Sequence, residues 1–93
     1  MRYKVFHAIK PTFGVPGLPQ PKFPEEFEKV AEVEALSKEQ VFAKTNNIDT
    51  PWTKNEGVNA VREKIRSTSV GDVIEDETGK KFITDMIGWK EIV

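Results

Sequence analysis

The sequence predicts an α+β domain, a small antiparallel sheet of about four strands with one short helix packed on a face. Three observations carry that reading. The stretch Arg66 to Trp89, RSTSVGDVIEDETGKKFITDMIGW, reads as a polar loop followed by a strand, a tight turn and a second strand. The opening RYKVFHAI alternates as a strand does. Between the two, Ser37 and Gln40 have the spacing of a capping box, which starts a single short helix.

The hairpin is the centre of the predicted sheet. Val70, Val73, Ile74, Phe82, Ile83 and Ile87 supply β-branched and aromatic side chains that suit a pleated surface. Glu75 to Gly79 is a polar turn whose last residue reaches positive φ without steric cost. Val73 beside Ile74, and Phe82 beside Ile83, put apolar groups on both faces, as in a strand covered on both sides.

Residues 2 to 9 form the first predicted strand, ended by Pro11. Pro11 to Pro24, PTFGVPGLPQPKFP, holds five of the six prolines and excludes regular helix or central strand. It reads either as an ordered loop pinned over the sheet by Phe13, Val15, Leu18 and Phe23, or as a P-x-x-P ligand for a partner groove. Residues 25 to 36 fit helix or strand. The capping box decides for a strand over Glu28 to Ala35, pairing with the first, because a new helix must begin at Lys38. Leu36 is placed to staple against Val41, and Asn46 and Asn47 to close the helix in left-handed geometry. Asp49 to Trp52 is a turn with Pro51 in a first helical position, and Trp52 to Ile65 reads as a surface excursion. Trp89 to Val93 extends the last strand.

Ninety-three residues make one domain, residues 1 to 93, able to bury a modest core. The net charge of −1 disfavours a life on phosphate contacts, so nucleic acid is not an expected partner. With no cysteine there is neither disulfide nor thiolate chemistry, which points to the cytoplasm. No apolar run suggests a membrane span or signal peptide.

The order TNNIDTPW, then RSTSVGDVI, then an aromatic-apolar strand ending in GW resembles the YodL-like domains and related small proteins of bacteria, plasmids and phages. The resemblance spans about residues 36 to 92. It maps onto Phe42, Asn46 and Asn47, then Arg66, Ser67, Ser69, Val70, Gly71, Asp72 and Val73, then Gly88 and Trp89. It implies a mobile-element setting and, for some members, inhibition of cellular machinery.

The polar residues do not spell a catalytic motif. His7 with Ser67 or Ser69 and Asp72 or Asp85 makes a triad only on paper, because no nucleophile elbow is present. Gly71 and Gly79-Lys80 are too far apart for a phosphate loop, and Glu75 to Glu77 lack calcium-loop spacing. No metal, cofactor or enzymatic activity is therefore expected. The expected role is an accessory protein, phage- or mobile-element-encoded, that binds or inhibits a host or phage protein. Its candidate surface comprises Phe13, Leu18, Asn46, Asn47, Asp49, Trp52, Arg66, Ser67, Ser69 and Asp72. An open sheet edge would pair two copies. The alternative is a small-molecule or anion-binding, or catalytic, domain using Arg66, Ser67, Ser69 and Asp72, with the guanidinium gripping the anion.

Overall fold

In the computed structural model, which describes residues 1–47 and 50–92, the first strand lies in the middle of the sheet. This strand, β1 (Arg2–Ala8), pairs antiparallel with β2 (Phe27–Glu34) on one side and β4 (Val73–Glu75) on the other. Outside β2 lies β3 (Val58–Ala60); outside β4 lie β5 (Lys81–Thr84) and then β6 (Trp89–Ile92). The order is β3-β2-β1-β4-β5-β6.

The sheet thus has six strands among the described residues, where the sequence reading expected about four. Both additions are short edge strands. β3 comes from the segment read as a surface excursion, whose Val58 and Ala60 pack inward against Val33 and Ala31. Three residues flanked by Gly57 and a polar run give too little alternation to detect. β6 does not extend β5. It returns beside it after the turn Asp85 to Gly88, closed by a bond from the Asp85 amide to the Gly88 carbonyl. Ile87, read as a strand residue, sits in that turn and is 94% exposed.

Register distributes the side chains between two unequal faces. On the first, Tyr3, Val5, Val33 and Ile74 build the main core beneath α1 (Lys38–Lys44), with Val41 and Trp52 fully buried. A β-bulge shifts the β1–β2 register between Val5 and Phe6, so Val5 faces Ala31 while Phe6 faces Lys29. Val30, the residue skipped, joins the same core instead of pointing away. The opposite face is apolar only near Ala8, Phe27 and Val73, which Phe23 covers by edge-on contacts with Phe6 and Phe27 at 5.2 and 5.3 Å. Farther along, Lys4 stands opposite Glu32 and Glu75, an open charged shelf. Val73 and Ile74 are both fully buried, as the two-faced reading required, but Phe82 and Ile83 are only half-buried, because the hairpin lies to one side of β1 and β5 has only the short β6 beyond it.

The capping box forms with one change. The Gln40 amide donates to Ser37 Oγ at 3.2 Å, but Gln40 Oε1 accepts from the Leu36 amide rather than that of Ser37. Leu36 is 87% exposed, so the expected staple on Val41 is absent. Nor do Asn46 and Asn47 adopt positive φ. The helix ends through side chains: Asn46 donates to the Phe42 carbonyl, and Asn55 to that of Lys44 at 2.8 Å. Trp52 opens a single 3-10 turn, Trp52–Lys54.

The proline-rich loop is ordered against the sheet through a close approach at Gly14. A Cβ there would lie 2.6 Å from Val70 Cγ1, and φ is +72°. Only glycine meets both conditions. Gly14→Ala is expected to destabilise the fold by about 1–3 kcal/mol, read as a lower urea midpoint with unchanged slope. Gly17→Ala, where nothing stands within 4 Å, tests positive φ without the clash and should cost less.

Candidate functional site

The polar cluster of the RSTSVGDV string assembles around one carboxylate. Between β3 and β4 the chain crosses the end of β1, where the sheet ladder stops and leaves backbone groups in need of partners. Asp72, 1% exposed, supplies them. Its Oδ1 accepts from the Ala8 amide at 3.0 Å, and its Oδ2 from the Ser69 amide at 2.8 Å. Arg66 then closes a two-pronged pair, Nη2 to Oδ1 at 2.8 Å and Nη1 to Oδ2 at 2.7 Å. The same nitrogens also reach the carbonyls of Ala8 at 3.3 Å and Ser67 at 3.1 Å.

The crossing segment is stitched on its other side to the end of α1. The Thr68 amide donates to the Thr45 carbonyl at 2.9 Å, and the Asn47 amide to Ser67 Oγ at 2.7 Å. The Trp52 indole N–H donates to the Arg66 carbonyl at 2.8 Å, while the Trp52 amide is held by Asn47 Oδ1 at 2.9 Å. Asn47, Trp52, Arg66, Ser67, Ser69 and Asp72 thus fall in one network, as their grouping in the sequence suggested. Its role is internal. Trp52 is fully buried and its only polar atom is engaged, so it is no contact surface. Phe13 touches the network from outside, its ring 5.4 Å from the Arg66 guanidinium carbon and its backbone at φ 53°. Leu18 stays 49% exposed and makes no part of it. Asp49 lies outside the described residues.

His7, set aside as a lone strand histidine, proves to be a member. Its Nε2 lies 2.8 Å from Thr68 Oγ1 and 3.9 Å from Asp72 Oδ2, with the ring tilted against Trp52. Burial pushes its pKa down from 6.5 to about 4; Asp72 and Glu28 oppose that shift, while Arg66 and Arg62 assist it. The imidazole is therefore neutral at pH 7. His7 falls on the buried parity of β1, the one signal that could have found it. Also missed were Met86 and Ile87, 83% and 94% exposed, whose position just before a turn glycine was the available clue.

Compared with known proteins, the chain matches no family model, no curated protein and no solved structure.

Two outcomes follow from the buried network. Asp72→Ala strands the Arg66 guanidinium and two backbone amides, and should cost about 3–5 kcal/mol of folding free energy. Asp72→Asn keeps part of the hydrogen bonding and should cost less, both read by chemical unfolding at pH 7. For His7 the folded pKa lies below the unfolded one, so the unfolded chain binds the extra proton between about pH 4 and 6.5. Stability should be fullest above pH 6.5 and fall through that window as pH drops, by up to about 3 kcal/mol. His7→Gln should flatten the slope, and an equal slope in both proteins would refute the assignment.

Proposed function

We propose that this chain works by binding another protein, through a surface formed by the proline-rich loop and the β5–β6 turn. The observation that carries the reading is the placing of the exposed apolar side chains. Phe13, Val15 and Leu18 on the loop are each about half exposed, and Met86 and Ile87 on the turn nearly wholly so. Two shallow clefts border the turn, and one of them is shared with the loop. One, of about 230 Å³, is lined by Val15, Pro16 and Val70; the other, of about 170 Å³, by Phe42, Met86 and Trp89. Thr84 and Asp85 border both. Apolar groups gathered beside a rigid scaffold, and left uncovered, favour an interface over a solvated loop.

A second copy is a poorer occupant than a different protein. If two β6 edges paired about a two-fold axis over the strand's middle, Lys90 would face Lys90 or Glu91 would face Glu91. The anion-binding alternative loses its grip for a related reason. Both Arg66 terminal nitrogens are committed to Asp72 and to carbonyls, and the carboxylate at the centre repels an anion. Among the described residues no helix is long and apolar enough to cross a membrane, and no group of acidic or histidine side chains is arranged to hold a metal. The phage or mobile-element setting, YodL-like kinship and an inhibitory role belong to the same proposal, supported by the RSTSVGDV string.

A photo-crosslinking residue at position 87 should capture one partner in the native cell, and the same residue at Lys64 should not. Val15→Ser or Leu18→Ser should lower the yield at least about tenfold while leaving the thermal midpoint nearly unchanged. Equal capture from positions 87 and 64 would remove the reading.

A further inference from the structure

The β5–β6 hairpin holds two buried polar side-chain atoms without a partner: Thr84 Oγ1 and Trp89 Nε1. Thr84 and Trp89 are direct cross-strand neighbours, and both line the cleft of about 170 Å³ under the Met86 turn. Thr84 is 5% exposed. An indole N–H only donates, a hydroxyl donates or accepts, and Asp85, the third polar residue of the lining, carries an exposed carboxylate that accepts from the Met86 amide at 2.8 Å. An unmade hydrogen bond at a buried donor costs about 1–3 kcal/mol, which a ligand that completes it recovers.

The complement to this set is a group presenting a carbonyl and an N–H together. A carboxylate satisfies the indole but is repelled by Asp85; an ammonium suits Asp85 but offers the indole nothing. A neutral primary amide does both. Phe42 and Met86 add apolar walls suited to the methylenes that carry such an amide. We propose that this cleft receives an asparagine or glutamine side chain of the partner protein, its carbonyl accepting from Trp89 and its NH2 group facing Thr84 and Asp85. The inference rests on the docking surface above and names its anchor. Because both atoms are closed to water, part of the cleft wall must shift to admit the amide, and the Met86–Ile87 turn is the part least held. The near-complete exposure of those two side chains leaves that turn little packing to lose.

The two indole N–H signals give the test. That of Trp52 is bonded to the Arg66 carbonyl and that of Trp89 is not, so their resonances should separate in a proton–nitrogen correlation spectrum, with Trp89→Phe assigning them. Titration with the peptide acetyl-Ala-Gln-Ala-N-methylamide, whose only primary amide is the Gln side chain, should shift the Trp89 signal saturably and leave that of Trp52 in place. The matching Glu peptide at pH 7 should shift it several-fold less, and Thr84→Val, which keeps the side-chain shape, should weaken the Gln response. A signal that stays fixed, drifts without saturation, or responds equally to Gln and Glu peptides overturns the proposal, as would a Thr84→Val protein that binds unchanged. Crosslinking from position 87 that survives in such a case would leave the docking surface standing without this anchor.

Discussion

Everything near the end of β1 depends on the buried Asp72 carboxylate. A sheet strand that stops inside a molecule leaves amides and carbonyls facing no ladder. Here one carboxylate takes the Ala8 amide, the Ser69 amide and both prongs of Arg66, so its two oxygens are fully occupied. Taking a carboxylate out of water is costly, and such pairs are seldom a net source of stability. What the arrangement supplies is position. It fixes where the chain crosses from the α1 side of the sheet to β4, and with it the register of Val73 and Ile74 against Phe6 and Val5.

That position is passed outward through Arg66. The guanidinium is partly exposed, bonded inward to Asp72 and faced from outside by the Phe13 ring. Phe13 holds a left-handed φ that a non-glycine residue adopts only when its surroundings favour it. The next residue, Gly14, approaches Val70 too closely for any side chain. The loop is therefore seated on the crossing segment at two consecutive residues, while Val15 and Leu18 beyond them remain uncovered. A loop held at its base with its apolar tips free is better suited to recognition than a mobile one, because less entropy is lost on binding.

Much of this was legible in the residues. Alternation gave β1, the capping pair gave the start of α1 and through it the choice of strand for β2, and the polar turn ending in Gly79 gave the β4–β5 hairpin, with Gly79 at φ 88°. The grouping of Arg66, Ser67, Ser69 and Asp72 correctly indicated a local cluster. Its partners were hidden because they arrive from far along the chain: His7, Ala8 and Trp52 meet it only through the sheet and the 3-10 turn. Edge strands of three and four residues lacked the length for periodicity to speak. Trp52, named among the candidate contact residues, is core for a physical reason. A large aromatic in a polar segment looks like a surface anchor, yet its indole N–H had a carbonyl waiting inside.

The two tryptophans sharpen the contrast between scaffold and surface. Trp52 is wholly enclosed and its N–H is satisfied, which is how a protein uses indole to lock a core. Trp89 is half-buried against the edge of Phe42, its N–H unpaired beside an unpaired Thr84 hydroxyl. Stability alone would not favour that pair, since a valine or a phenylalanine at either position fills similar space with no polar group to satisfy. Unmet polar groups of this kind concentrate where a structure serves something other than its own folding. They lie at the end of the hairpin that also exposes Met86 and Ile87, next to the filled network, since the Thr84 amide donates to the Asp72 carbonyl at 2.8 Å. Side-chain polar bonding is therefore complete around the Asp72 carboxylate and incomplete on the Thr84–Trp89 pair beside the bare Met86–Ile87 turn, and that contrast distinguishes the supporting residues from the recognising ones.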